Sequence, residues 1–277
     1  MISEDIDYKS CALSAYRAKL AYLWPMDMEN AWKKVYDEDS ILYSIFNGVL
    51  DAPKHYSDTV TGAFAYSWIQ GTILHFIFRG TEDLNDVKVD LKHTRDYLFP
   101  GNKKVLVHSG FLGQFRAISD ELLKTIVEHK TPITAVCFSG HSLGGGLATI
   151  AAGFYSPIIR DLLKCRIVCH TIGSPRVGNT GFVNWWVDKV DESRRILNFA
   201  DPVTLLPING YYKHIDNGIQ LNEDGTVKLI QGDVSWIRRL YHLPSQISCS
   251  NIIQNHFTDV YINRLLRLAN WGIDFKS

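Results

Sequence analysis

The sequence has no surplus of charge of either sign. Its 277 residues contain 29 Lys and Arg and 29 Asp and Glu, so the formal net charge at pH 7 is +0. A protein that binds a run of phosphates needs a basic surplus, because contacts with the phosphate backbone dominate its affinity. The balance therefore argues against nucleic acid as the partner.

Cysteine is scarce, and the five residues are odd in number, so no disulfide framework is indicated. Cys165 and Cys169, followed by His170, have a spacing that suggests a metal site. However, they belong to a strand-like run, in which four residues span roughly 13 Å. Zinc holds thiolates at about 2.3 Å and cannot bridge that gap. We therefore predict no metal centre.

Export and membrane signals are also missing. No uninterrupted apolar stretch approaches the roughly 20 residues of a transmembrane helix. Glu4, Asp5 and Asp7 make the first residues acidic where a secretory signal would be basic, and no Asn is followed by x-Ser or x-Thr. We expect an intracellular protein without a transmembrane segment.

The composition is that of a core-forming globular protein, with 46% hydrophobic and 21% charged residues. Short apolar runs alternate with helical periods through the middle of the chain. The predicted elements are a helix near 111–129, a strand 132–138, a helix 143–155, a strand 166–172, a helix 181–190 and a strand 195–200. This alternation predicts an α/β fold with a mostly parallel sheet and helices on both faces.

Other elements flank this region. Apolar positions spaced as in a helix follow Ile6, and Trp24-Pro25 ends that segment. Aromatic and β-branched runs at 63–69 and 72–78 predict a hairpin. Residues 219–230 predict a second hairpin, and the helical spacing of apolar residues at 257–269 predicts a last helix. Because no repeat or linker interrupts the pattern, we predict one domain over 1–277.

One motif indicates a nucleophile. Gly140-His141-Ser142-Leu143-Gly144 fits the G-x-S-x-G pattern, in which glycines flank a serine on a very tight turn. A buried-strand run precedes the motif and an alanine-rich helical run follows it, which is the strand–turn–helix setting of a nucleophile elbow. We identify Ser142 as the candidate nucleophile.

At this point the sequence resembles the class 3 lipases, the fungal-lipase-like branch of the α/β hydrolases. The extended motif Gly140–Gly145 carries the resemblance, together with three further segments in the same order, namely 78–81 (Phe-Arg-Gly-Thr), 107–111 (Val-His-Ser-Gly-Phe) and 174–179 (Ser-Pro-Arg-Val-Gly-Asn). The resemblance implies an α/β-hydrolase fold and an esterase that needs no cofactor.

A serine nucleophile needs a carboxylate and a histidine, and in α/β hydrolases they follow it in that order. Asp201 directly follows a predicted strand, at the edge of the sheet where sites gather. Asp188, Asp191 and Glu192 also have the right order, but they lie on a helix end and a charged loop. The resemblance selects Asp201 through Asp201–Pro207.

Three histidines follow Asp201, namely His214, His242 and His256. The segment His256–Tyr261 resembles the histidine segment of the family, which makes His256 the candidate base. His214 matches a non-catalytic family position near the site, and His242 matches no position.

The oxyanion that forms during ester cleavage needs N–H or O–H donors. One candidate is the backbone N–H of Leu143, the residue after the nucleophile. The resemblance implies Thr81 as the second donor, Asp90 as a carboxylate that steadies it, and a supporting role for His141 beside the nucleophile and for His214. The alternative for Thr81 is a helix N-cap.

Two segments suggest contact with lipid. Residues 82–99 mix apolar and charged positions, and the resemblance implies a lid over the acyl groove; a fixed surface helix is the alternative. Residues 236–242 interleave basic and aromatic side chains, which fits transient contact with an anionic lipid surface or an ordinary surface loop.

Together these observations predict a lipid carboxylester hydrolase, similar to acylglycerol lipases, that uses Ser142, Asp201 and His256. The alternatives are a soluble esterase of small or phenolic esters and a lipase-like binding protein without turnover.

Overall fold

The computed structural model describes residues 6–34, 36–81, 94–208, 210–215, 218–230, 232 and 254–271. Ten strands lie in this part of the chain: β1 (Lys54–Ser57), β2 (Phe64–Gln70), β3 (Ile73–Phe78), β4 (Arg95–Tyr97), β5 (Leu106–His108), β6 (Ala135–His141), β7 (Arg166–Ile172), β8 (Glu192–Asn198), β9 (Gly218–Leu221) and β10 (Val227–Ile230). Eight of them form one sheet in the order β1-β2-β3-β6-β7-β8-β9-β10, and β4 pairs with β5. β3, β6, β7, β8 and β9 run parallel to one another. On one side of them β1 and β2 add antiparallel pairs, and on the other side β10 pairs antiparallel with β9.

Seven α-helices are described: α1 (Tyr8–Leu20), α2 (Pro25–Lys33), α3 (Ile41–Phe46), α4 (Ser109–Glu128), α5 (Leu143–Leu162), α6 (Thr180–Trp186) and α7 (Thr258–Leu268). Buried side chains of α4, α5 and α6 form a core on one face of the sheet, while those of α1, α3 and α7 form a second core on the other face. The prediction of a mostly parallel sheet with helices on both faces is confirmed. Within the described ranges, no helix is long and apolar enough to cross a membrane.

Both predicted hairpins are present. β2 pairs antiparallel with β3, and β9 pairs antiparallel with β10. The first helix ends before Pro25, which begins α2. Of the apolar positions Leu13, Tyr16 and Leu20 that predict this helix, only Leu20 is buried, whereas Ala12, Ala15 and Ala18 are fully buried. Small side chains let α1 pack closely on the sheet.

Some boundaries differ from the predictions. β6 begins three residues late and continues through Gly140 and His141, because these residues pair in register with β3 and β7. α5 continues past Pro157 to Leu162. A proline cannot donate to the carbonyl four residues earlier, that of Gly153. The Ser156 hydroxyl donates to this carbonyl at 2.9 Å, so the helix continues.

Candidate active site

Ser142 lies at a sharp turn between β6 and α5, as the nucleophile elbow requires. Its φ of 57° is in the left-handed region, a strained conformation for a residue with a side chain. A side chain at Gly140 would collide with the Gly144 carbonyl, and one at Gly144 would collide with the Phe78 carbonyl. The turn therefore needs glycine at both positions, which is why the motif has this form.

Ser142, His256 and Asp201 lie together although they are far apart in the sequence. His256 Nε2 is 2.8 Å from Ser142 Oγ, and His256 Nδ1 is 2.9 Å from Asp201 Oδ2. All three residues are buried. A carboxylate only accepts hydrogen bonds, so His256 donates from Nδ1 and its Nε2 accepts from the serine hydroxyl. This is the geometry of a hydroxyl that a neutral imidazole can deprotonate.

Further donors hold the carboxylate of Asp201. The Val203 backbone N–H donates to Oδ1 at 2.9 Å, and the Tyr261 hydroxyl donates to Oδ2 at 2.6 Å. A Cβ on Gly173 would lie 2.9 Å from Oδ2, and this residue has a φ of +58°. The carboxylate therefore packs against a position that only glycine can fill without strain.

His141 and His214 lie around the triad without belonging to it. His141 Nε2 is 2.6 Å from the carbonyl oxygen of His256, and its Nδ1 is 2.9 Å from the hydroxyl of Tyr22. His214 Nε2 is 2.7 Å from the carbonyl oxygen of Thr204, and the Thr204 hydroxyl donates to the Asp201 carbonyl. His214 thus acts on the loop that carries the acid, which fits a supporting role.

The predicted oxyanion donors belong to two segments that adjoin Ser142. Leu143 is the first residue of α5, where backbone N–H groups have no acceptor within the helix. Thr81 follows Gly80, and a Cβ on Gly80 would lie 3.0 Å from the Ser142 Cβ. The loop after β3 therefore runs directly beside the nucleophile.

A cavity of about 280 Å³ opens next to Leu143. Its lining residues are Thr61, Gly110, Phe111, Gly113, Gln114 and Leu143. No charged side chain belongs to this described lining, so the cavity suits an uncharged part of a substrate.

Two of the three rival acids, Asp191 and Glu192, are engaged elsewhere. Asp191 accepts from Arg160 and from the Ile167 backbone N–H. Glu192 contacts His170 and Arg194 at the far end of β8, and the hydrogen bond from His170 lowers the pKa of Glu192 to about 2. Neither carboxylate contacts His256.

Several predicted features lie outside the described residues. Asp90, His242 and residues 236–242 belong to this group, as do residues 82–93 of the predicted lid. The described end of that segment, residues 94–99, contains the short strand β4.

Four residues of the site carry no role in the sequence analysis. Tyr22, Gly173 and Tyr261 contact the site only through the tertiary fold. Asn198 ends β8; its backbone N–H donates to the Tyr261 hydroxyl oxygen at 2.9 Å, and its side-chain amide donates to the Asn255 carbonyl at 2.8 Å. A buried asparagine at the end of an apolar strand is the one signal in the sequence that could have identified a member of this group.

The sequence of this chain is similar to sequences of known lipases. The family model for class 3 lipases matches residues 75–211. A lipase of Rhizomucor miehei is 30% identical over 136 residues, which are 48% of this chain and 37% of that protein. A secreted mono- and diacylglycerol lipase of Fusarium solani is 33% identical over 133 residues, 45% of this chain and 38% of the relative. The matched regions thus cover well under half of these relatives.

The fold likeness extends further than the sequence likeness. The structure of a Rhizomucor miehei triacylglyceride lipase superimposes with a TM-score of 0.72 at 19% identity, covering 94% of this chain and 98% of the other. The predicted α/β-hydrolase fold is therefore confirmed.

Proposed function

We propose that this chain, in which residues 75–211 match the class 3 lipase family, is a serine hydrolase that cleaves carboxylic esters of lipids, acylglycerols in particular. One observation carries the proposal. The Ser142 hydroxyl, the His256 ring and the Asp201 carboxylate form a continuous hydrogen-bonded chain in a buried site.

Each member of this chain has one task in the proposed reaction. Ser142 Oγ attacks the ester carbonyl carbon while His256 Nε2 takes its proton. Asp201 holds the Nδ1–H tautomer of His256 and stabilises the imidazolium that forms. The protonated His256 then gives its proton to the leaving alcohol, which leaves an acyl group on Ser142. Water, deprotonated by His256, releases the acid.

The negative charge that develops on the carbonyl oxygen needs donors that are already in place. In this proposal the backbone N–H of Leu143 and the donors of Thr81 supply them. One such donor is worth about 3 to 4 kcal/mol in a site that excludes water. The close approach of Gly80 to Ser142 brings the two loops together and supports this assignment.

A lipid surface is the proposed partner, because exposed apolar side chains lie next to residues of the site. Phe257 follows His256 and is 49% exposed, and Val60 precedes Thr61 of the cavity and is 92% exposed. The ring of Trp24 is 63% exposed, and the guanidinium of Arg79, the residue before Gly80, lies over it. Exposed apolar groups around a site are typical of contact with a membrane or an emulsion.

Val60→Asp tests this contact. Burial of a valine side chain contributes about 1.5 to 3 kcal/mol. We therefore expect the partition coefficient of the protein onto emulsified triacylglycerol to fall by about tenfold or more. The rate on dissolved p-nitrophenyl butyrate should not change. Co-sedimentation with the emulsion and a rate assay measure the two quantities.

Leu162→Asp provides the matched control. Leu162 is 52% exposed and ends α5, whose 20 residues place it roughly 30 Å from Ser142. This variant should bind the emulsion as the wild type does. Equal binding by the wild type and Val60→Asp, with a rate that saturates smoothly through the solubility limit of the ester, would favour the soluble esterase instead.

A further inference from the structure

The ring of His141 is fixed at both nitrogens, and the two contacts dictate how it is protonated. Its Nε2 faces the carbonyl oxygen of His256 at 2.6 Å, and a carbonyl can only accept. Nε2 must therefore carry a hydrogen. In the neutral ring Nδ1 is then an acceptor, so the hydroxyl of Tyr22 donates to it at 2.9 Å.

The surroundings keep this ring uncharged. Burial, with a smaller contribution from His256, holds the pKa of His141 well below its ordinary value. The titratable groups facing the ring among the described residues are Tyr22 after α1, His256 before α7 and Tyr261 on α7, with Asp201 behind His256. The rings of His141 and His256 lie 4.6 Å apart between centroids.

The neutrality of His141 matters because His256 becomes an imidazolium during the proposed reaction. A charged ring at 4.6 Å would oppose that second positive charge in a site of low dielectric. A neutral His141 imposes no such cost.

Side chains at the ends of two strands hold the backbone around His256 by hydrogen bonds. Asn198, the last residue of β8, donates to the Asn255 carbonyl at 2.8 Å, and His141, the last residue of β6, donates to the next carbonyl along the chain. Because His141 directly precedes Ser142, this bond fixes the base relative to the nucleophile. The Tyr22 hydroxyl also lies only 2.5 Å from where a Cβ on Gly80 would be, beside the oxyanion loop.

We infer that Tyr22 is a positioning residue for the general base. Its hydroxyl orients the ring of His141, which holds the His256 carbonyl, and keeps the His141 ring neutral beside the imidazolium of His256. The inference rests on the proposed function for its kinetic consequence. It assigns a task to the segment after α1, far from the motifs that identify the family.

Tyr22→Phe removes the hydroxyl and keeps the ring. We expect kcat on a dissolved ester to fall by about tenfold at pH 8, the effect of one lost hydrogen bond, with KM nearly unchanged. The deficit should grow as the pH falls to 6, because His141 without its donor is more easily protonated. A deficit that stays constant across this range, or no deficit, would overturn the inference.

Two further variants separate positioning from general damage. Tyr22→Phe combined with His141→Gln replaces the ring by an amide that can still donate to the His256 carbonyl but cannot be protonated, so the growth of the deficit at low pH should disappear. Tyr66→Phe is the matched control, because its buried hydroxyl donates to the neighbouring Leu23 carbonyl at 2.8 Å without contacting His141. Its pH profile should match the wild type.

A spectroscopic readout makes the test independent of turnover. Long-range ¹H–¹⁵N NMR spectra, assigned by the signals lost in His141→Gln, should show His141 as the neutral Nε2–H tautomer down to pH 6 in the wild type. Its titration midpoint should rise in Tyr22→Phe. An unchanged midpoint, or the Nδ1–H tautomer in the wild type, would contradict the inference, whereas inactive wild-type protein with the predicted spectra would contradict only the proposed function.

Discussion

Ser142→Ala is expected to lower kcat on a mid-chain p-nitrophenyl ester by at least about 10³-fold, because the members of a triad act as one unit. The thermal midpoint should change little, since the variant loses one hydroxyl and its hydrogen bond to His256, worth about 1 kcal/mol. Steady-state rates and a melting curve measure the two effects. Residual turnover within tenfold of the wild type would exclude Ser142 as the nucleophile.

Ser139→Ala is the matched control for this variant. Ser139 lies on β6, the strand that leads to Ser142, is also buried, and its hydroxyl has no hydrogen-bond partner among the described residues. Removing an unpartnered buried hydroxyl should leave both activity and stability intact. A similar loss of activity in both variants would mean that the strand, rather than the nucleophile, has been damaged.

Asp201→Asn is expected to keep the fold and lose about 10⁴-fold in kcat. Oδ1 accepts from the Val203 backbone, and Oδ2 accepts from His256 and Tyr261. An amide has only one acceptor oxygen. If its NH₂ group faces His256, the ring must accept at Nδ1 and carry its hydrogen on Nε2, where it can no longer take the serine proton.

The comparison for this variant is Asp191→Asn. Asp191 is one of the rival acids in sequence order, but the structure pairs it with Arg160 and the Ile167 backbone. Its substitution should affect stability more than rate. A loss of kcat in Asp191→Asn that exceeds the loss in Asp201→Asn would show that Asp201 is not the acid of the triad.

The fold could be predicted where local signals agree with tertiary packing. The hairpin of β2 and β3, the elbow and the strand–helix alternation all have a local pattern, and the structure contains them. The end of α5 could not be predicted, because it depends on whether another group satisfies the carbonyl that Pro157 leaves free. The alanine face of α1 was missed because hydrophobic spacing identifies large side chains, whereas close packing selects small ones.

The candidate site shows the same division. Ser142, Asp201 and His256 stand in segments with a recognisable order, and the structure brings them together. Tyr22 lies 119 positions from His141, and nothing in its neighbourhood indicates the contact. Residues that orient a triad member through the tertiary fold have no local pattern of their own, so they become visible only in three dimensions.

Labelling with a fluorophosphonate, followed by peptide mapping, tests the central claim most directly, because the reagent reacts only with a serine that a base has activated. Tryptic cleavage after Lys130 and Arg160 yields one peptide, 131–160, that contains Ser139, Ser142 and Ser156. We predict a single label on Ser142, abolished in Ser142→Ala and greatly slowed in Asp201→Asn. No label on the folded wild-type protein, or a label on another residue that persists in Ser142→Ala, would contradict the account.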